Sequence, residues 1–289
     1  MKLSKLIAIS ALTTFGIAGL TGCGEDPQAT SNVLKVGTTA DFAPFEFHSD
    51  NQKDYKGFDV DLINAVAKEM GKDVQIQDLA FDGLISAVQS KNIDVAISAI
   101  TITDERQKHV GFSDPYYKSG LAILVREDDS TINSIDDLKG KNIAARVATT
   151  GLEEAQKVEN ATVKPFKTPQ DCFRELQAGN VDAVINDRPV NDYAIKTGGI
   201  TGLKDLPQML TEEEYGIVMA KDNSELKKQI DDALKKLHDN GEYDKIYSKW
   251  FGEKSNSSGD QSTEQSEDQS EDQSTNQSTD QSQAESAQQ

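Results

Sequence analysis

The sequence predicts an α/β fold in two lobes, and three observations predict it. Short apolar runs rich in β-branched residues alternate with segments of helical periodicity, the pattern of strands covered by helices. The alternation completes itself once over residues 34–100 and again over residues 121–185. Composition changes abruptly at both ends, so the folded part is shorter than the 289 residues of the chain.

At the N-terminus, Lys2 and Lys5 precede an uncharged apolar run over residues 6–20. A run of that length behind a positive start reads as an export signal over residues 1–22 and not as a spanning helix. It ends in Leu20-Thr21-Gly22-Cys23, which resembles the bacterial lipobox. That resemblance implies a lipoprotein whose first mature residue, Cys23, carries lipid, palmitate included, with residues 23–32 as the anchor linker. An ordinary cleavage site with Cys23 incidental is the alternative. No later run approaches ~20 apolar residues, so no other membrane segment is expected. With Cys23 lipidated only Cys172 remains, which leaves no internal disulfide. Cys172 lies at a predicted helix start and reads as a small buried hydrophobe.

Each element of the first lobe follows from its pattern. Residues 34–37 form a strand, and residues 57–71 a helix whose Leu62, Ile63, Val66, Ala67 and Met70 share one face, with an acidic start and Gly71 as its stop. Residues 74–79 read as a strand, 82–91 as a helix and 94–100 as a strand. The second unit repeats the rhythm: strand 121–125, short helix 134–140, strand 143–147, a loop at Thr149-Thr150-Gly151 opening a helix, strand 163–166, helix 169–178 and strand 181–185. From Ser255 onward the chain is Ser, Gln, Asn, Thr and acids in near-repeats, with no aromatic residue, and is predicted to be a disordered tail. It holds eight acids and no Lys or Arg, part of a net charge of −19 that argues against nucleic acid as a partner.

Ligands of open α/β sheets gather beyond the carboxyl ends of strands. Two lobes would therefore set residues 101–106 and 149–187 across a cleft. Arg106 follows Thr101 and Thr103, and a guanidinium there can grip a carboxylate through two parallel hydrogen bonds. Equally, Thr103 can cap a short helix on whose surface Arg106 is merely solvated. Asp187, ahead of Arg188-Pro189, can be a helix cap; Phe42 and Phe81 can be core; Thr149 and Thr150 can be turn formers; Arg146 can be a solvated strand residue.

Several motifs in order carry a family resemblance. They are the Gly57–Met70 run (Gly, aromatic, acid, aliphatic, acid, aliphatic, then helix), Pro44-Phe45-Glu46-Phe47, Thr101-Ile102-Thr103-Asp104-Glu105-Arg106, Phe112-Ser113-Asp114, Tyr116-Tyr117-Lys118-Ser119-Gly120, Tyr215-Gly216-Ile217 and GEYDKIYSKWF over 241–251. Across about residues 33–252 the chain resembles the family 3 extracellular solute-binding proteins of ABC transporters, the polar amino-acid group, and most of all its glutamine-binding members. The resemblance implies the two-lobe, type II periplasmic-binding-protein-like fold with two hinge crossings, near residues 116–120 and 213–217. Lobe 1 would comprise residues 33–116 and 217–254, lobe 2 residues 121–212, and the tail residues 255–289.

It also implies a site. Arg106 would hold the ligand α-carboxylate, aided by Thr101 and by backbone amides near Ala99 and Thr150; Asp187 would accept from the α-ammonium; Phe42 and Phe81 would sandwich the aliphatic stem. Arg146, where glutamine binders carry lysine, would face the side-chain end, with Thr149 nearby. The chain departs from that pattern at Thr39, where the relatives have an acid, with Asp41 two positions on; at Asn186, where they have histidine; and at Ala99 and Thr150, where they have glycine. Glutamine is thus expected first, glutamate or aspartate second, cationic ligands last. A membrane permease is the implied partner of a monomer exported and anchored at the outer face of the cell membrane, with no cofactor, metal or catalytic residue. The rival classes are a cyclohexadienyl-dehydratase-like enzyme on the same fold, for which His109 and the glutamates lie in no recognisable motif, and a surface adhesin.

Overall fold

The structure is a computed structural model, and residues 32–49 and 53–252 are described. The predicted signal segment, Cys23, nearly all of the linker and the acidic tail lie outside the described residues. Lobe 1 starts with β1 (Val33–Thr38), β2 (Asp41–Phe42), β3 (Glu46–His48), β4 (Tyr55–Lys56) and α1 (Phe58–Glu69). It continues with β5 (Asp73–Asp78), α2 (Leu84–Gln89), β6 (Val95–Ala96), α3 (Asp104–His109) and β7 (Gly111–Phe112). The chain leaves through β8 (Tyr117–Ser119).

Lobe 2 holds β9 (Leu121–Arg126), β10 (Asn142–Arg146), α4 (Thr150–Lys157), β11 (Thr162–Phe166), α5 (Pro169–Gln177), β12 (Ala183–Asp187), α6 (Arg188–Lys196) and β13 (Leu203–Asp205). The return runs through β14 (Glu213–Tyr215) to β15 (Val218–Met219), α7 (Ser224–Asp239) and α8 (Glu242–Phe251).

Each lobe carries a five-stranded sheet, in the order β5-β1-β6-β15-β7 and β11-β10-β12-β9-β13. The leading strands of each are parallel, as βαβ crossovers require, and the strands that follow the crossings are antiparallel. The crossings pair with each other, β14 antiparallel to β8 with Tyr215 opposite Tyr117. Both faces of the lobe 2 sheet are covered: Leu121, Ile123 and Val125 of β9 join one apolar cluster, and Leu124 joins the other. Around the crossings the core is aromatic. Phe45 meets Tyr117 edge-on at 4.9 Å and Tyr215 at 5.3 Å, and Tyr117 stacks on Tyr215 at 5.7 Å.

Two glycines let backbones meet where a side chain would collide. A Cβ at Gly57, whose φ is 140°, would lie 2.0 Å from the Phe45 carbonyl oxygen, and one at Gly120 would lie 2.1 Å from that of Thr211. The second contact seats the outgoing crossing against the segment that leads into the returning one.

The structure departs from the sequence reading in three places that bear on the cleft. The strand expected over residues 94–100 stops at Ala96, and residues 97–100 form a loop with Ala99 in the left-handed region at φ 48°. The strand expected to end at residue 185 runs on through Asp187. Asp59, expected only as part of the acidic start of α1, is completely buried. Its Oδ2 accepts from the Ala99 amide and from the Tyr116 hydroxyl, both at 2.8 Å, which turns the loop out of the sheet.

Asp59 shares its burial with Glu46, whose Oε1 accepts from Ser98 Oγ at 2.7 Å. Glu46 Oε2 and Asp59 Oδ1 are buried with no other partner among the described residues, and a proton kept on Glu46 and directed at Asp59 would satisfy both. Burial, with the Asp59 charge beside it, pushes Glu46 well above the usual carboxylate range, and burial raises Asp59 from 3.8 to about 6. The native state therefore holds protons here that the unfolded chain has released, and the pair's contribution to stability falls as pH rises from 3.8 through about 6. A glutamine at position 46 keeps one acceptor for Ser98 and a permanent donor for Asp59. Thermal melts of Glu46→Gln should show its Tm advantage over the wild type growing by roughly 3 °C or more between pH 4.5 and pH 7.5; parallel pH profiles would contradict a shared proton.

Candidate functional site

The loops after β1, β6, β10 and β12 converge between the two sheets, and the expected residues lie on them. Thr103 caps α3 by accepting from the Arg106 amide, so the sequence reading of that cap holds. The Arg106 side chain is nevertheless not a solvated surface group. Its Nη1 donates to the Thr101 carbonyl at 2.8 Å within lobe 1, and its Nη2 donates to the Ala148 carbonyl of lobe 2 at 2.9 Å. Burial lowers its pKa, opposed by the charges of Glu153, Glu213 and Asp187. Ala148 sits at φ 60°, a left-handed residue that turns its carbonyl at the end of β10 toward α3.

Arg146 ends β10, and its side chain is 2% exposed. Its Nη2 lies 2.9 Å from Asp41 Oδ1 of lobe 1, and Nε donates to the Lys167 carbonyl at 3.1 Å. The guanidinium carbon is 5.5 Å from the Phe42 ring centroid and 4.8 Å from that of Phe81, within cation–π range of both. Phe81 is also 5.8 Å from the Arg106 guanidinium, so one ring serves two cations. Burial pushes Asp41 up to about 6, the Arg146 charge pulling the other way. Gln170 of α5 donates to the Asp41 carbonyl at 2.9 Å, a further link between the lobes. Thr39 is buried beside this end; its amide donates to Ser98, and its hydroxyl has no partner among the described residues.

Asp187 ends β12 and is buried. Its Oδ1 accepts from the Tyr215 hydroxyl, which itself accepts from Ser119 at 2.8 Å. Burial, with the Glu213 carboxylate adding to it, raises Asp187 to about 7. It makes no side-chain cap for α6. Thr150 opens α4, and its hydroxyl donates to Glu213 Oε2 at 3.1 Å; Thr101 donates to the same oxygen at 2.7 Å. A cavity of 880 Å³ is lined by Thr101, Thr150, Glu153 and Glu213 among others.

The structure thus brings Phe42, Phe81, Thr101, Arg106, Arg146 and Thr150 into one network of contacts, with Asp187 joined to it through Tyr215 and the charge of Glu213. Three expected residues are engaged elsewhere. The Ala99 amide is taken by Asp59. The Thr149 hydroxyl caps α4, accepting from Leu152 N at 3.2 Å and donating to the Arg146 carbonyl at 2.7 Å. Asn186 donates to Asn191 at 2.9 Å, and Asn191 donates to Asp205. Because β12 extends through both residues, Asn186 and Asp187 face opposite sides. Glu213 and Tyr215 escaped the sequence reading as site residues, although their alternation in the returning crossing places them on one face.

Cys172 is free and buried, and burial pushes its thiol up to about 12, so it is no nucleophile. Among the described residues no three His, Cys, Asp or Glu side chains could hold a metal, and no helix is long and apolar enough to cross a membrane.

Residues 34–253 match the family model of the bacterial extracellular solute-binding proteins, family 3. The arginine-binding extracellular protein ArtP of Bacillus subtilis (strain 168) is 34% identical over 264 residues, covering 88% of this chain and all of that protein. Among solved structures, an ancestral arginine-binding protein bound to glutamine is 43% identical with a TM-score of 0.71, covering 77% of this chain and 99% of that one. The ancestral amino acid-binding protein AncCDT-1, a precursor of cyclohexadienyl dehydratase, is 37% identical with a TM-score of 0.71, covering 76% and 96%. The relatives are named for the amino acids they bind, and two of them as ABC transporter binding proteins, none of these as an enzyme.

If Arg106 anchors a carboxylate in this cleft, Arg106→Ala should lose at least roughly 100-fold in amino-acid affinity by calorimetry, with an unchanged far-UV circular dichroism spectrum. Near-wild-type affinity would remove Arg106 from the site.

Proposed function

The chain belongs to the bacterial extracellular solute-binding proteins, family 3, and from that premise we propose that it captures a polar L-amino acid between its lobes and hands it to a membrane permease of an ABC importer. Arg106 takes the α-carboxylate, Asp187 accepts from the α-ammonium, and Phe42 and Phe81 flank the side chain. Glutamine is the first candidate, glutamate and aspartate the second, and cationic amino acids the last. Exported through residues 1–22 and acylated at Cys23, the protein works at the outer face of the membrane as a monomer.

The observation that carries the ligand preference is the position of Arg146. Its guanidinium lies near both aromatic rings and is tied to Asp41, so the side-chain end of the cleft already holds a cation. A ligand that brings a second cation there meets a like charge in a desolvated site, whereas an amide oxygen or carboxylate meets a donor. Arginine-binding relatives are therefore a guide to the fold and to the α-amino-acid end, but not to the side chain.

Hinged closure gives the mechanism. The lobes touch through Arg106 with Ala148, Arg146 with Asp41, and Gln170 with Asp41, contacts that exist only when the two sheets are together. A ligand completing its bonds to both lobes favours that arrangement by differential affinity, and the permease can read the closed shape.

Thermal-shift screening of the twenty L-amino acids on residues 24–254 tests the reading. Ligand at 100 times its Kd adds about 2.7 kcal/mol, so glutamine should give the largest shift and arginine and lysine none; a shift with arginine alone would overturn the preference. Arg146→Ala leaves Asp41 without its cation and opens the space beside the rings. That variant should gain L-arginine binding by at least roughly tenfold, and no gain would mean that Arg146 does not set the side-chain selection.

A further inference from the structure

Glu213 lies on the returning crossing yet touches both lobes. One oxygen, Oε2, accepts from Thr101 Oγ1 of lobe 1 at 2.7 Å and from Thr150 Oγ1 of lobe 2 at 3.1 Å, and Oε1 accepts from Thr211 Oγ1 at 3.2 Å. A carboxylate only accepts, and a hydroxyl has a single proton to give. Thr101 and Thr150 have therefore spent their protons on Glu213 and present only lone pairs to anything else in the cleft.

We propose that Glu213 is a positioning residue for the ligand α-ammonium: by drawing in both hydroxyl protons it turns Thr101 and Thr150 into acceptors. The inference rests on the amino-acid reading and revises one part of it. Thr101, assigned by the family resemblance to help hold the carboxylate, cannot donate to it and instead joins Asp187 as an acceptor. The carboxylate is then left to Arg106 and to backbone amides. The crossing sets proton directions on a second path as well. Ser119 donates to Tyr215 and Tyr215 donates to Asp187, so Asp187 Oδ1 is held as an acceptor. Glu213 and Tyr215 alternate on β14, so one face of one short strand orients all three acceptors.

Charge supports the arrangement. The Glu213 charge adds to the burial that raises Asp187 and opposes the burial that lowers Arg106, so it acts on both residues assigned to the ligand's charged groups. An ammonium set among Asp187, Thr101 and Thr150 lies near two carboxylates whose mutual repulsion it relieves.

The test compares each amino acid with the same molecule lacking the α-ammonium. Calorimetry on the wild type, Glu213→Leu and Glu213→Gln would use L-glutamine with glutaramic acid, L-glutamate with glutaric acid and L-aspartate with succinic acid, the acids as millimolar competitors. Leucine removes the acceptor and frees both hydroxyl protons. The preference for the amino acid over its deaminated partner should fall at least tenfold in Glu213→Leu, the deaminated acid binding as well as before or better. Glutamine at this position retains an acceptor oxygen and should restore most of the preference. Equal weakening of both members of a pair, or an unchanged preference, would reduce Glu213 to a hinge-packing residue and overturn the proposal. A wild type that gives no heat with any of the three amino acids would overturn the amino-acid reading itself, and the proposal with it.

Discussion

Two guanidiniums taken out of water between two lobes must each find acceptors, and that requirement organises the cleft. Arg106 meets it with carbonyls from both sides, Thr101 and Ala148. Arg146 meets it with Asp41 and Lys167 and lies within cation–π range of Phe42 and Phe81. An unpaired buried charge costs several kcal/mol, so the loops that supply these acceptors have little freedom. The left-handed turn at Ala148 follows from the first arginine, and the approach of β2 to lobe 2 follows from the second. The two cations also divide the labour. Arg106 joins α3 to the turn before α4, and Arg146 joins β10 to β2 and the two aromatic rings; in the proposed function the first takes the α-carboxylate and the second faces the ligand side chain.

The crossings do more than connect the lobes. Their aromatic residues Tyr117 and Tyr215 pack with Phe45 into one core shared by both sheets. Their polar atoms, Ser119, Glu213 and the Tyr215 hydroxyl, run directly into the cleft. On the lobe 1 side, the Glu46–Asp59 pair performs a related task, fixing Ser98, the Ala99 amide and the Tyr116 hydroxyl. Binding loops and hinge are thereby held by the same buried groups, which makes a change in one felt at the other.

The alternation of apolar runs made the two sheets legible, because strand and helix periods are local. In the cleft, the sequence singled out Arg106 and Asp187 only through the family resemblance, and both lie in the network between the lobes. Asp41 and Arg146 stand 105 positions apart, so no local pattern says that they meet. Asn186 and Asp187 both read as loop residues beyond a strand; one more turn of the ladder puts them on opposite faces and removes Asn186 to a pairing with Asn191. Glu213 was hidden in a run of three glutamates that looks like solvated charge, and Asp59 in a helix start that looks like a favourable dipole contact. Burial of an acid is a property of tertiary neighbours, which sequence spacing does not carry.

The claim on which all of this turns is that the cleft receives a zwitterion with its carboxylate at Arg106 and its ammonium at Asp187. A crystal structure of residues 24–254 with L-glutamine tests it most directly. The account predicts paired oxygens within about 3 Å of the Arg106 guanidinium, the ammonium among Asp187, Thr101 and Thr150, and the side-chain amide turned to Arg146. A glutamine bound in the reverse direction, or density outside the two lobes' meeting face with Arg106 still on Ala148, would contradict it.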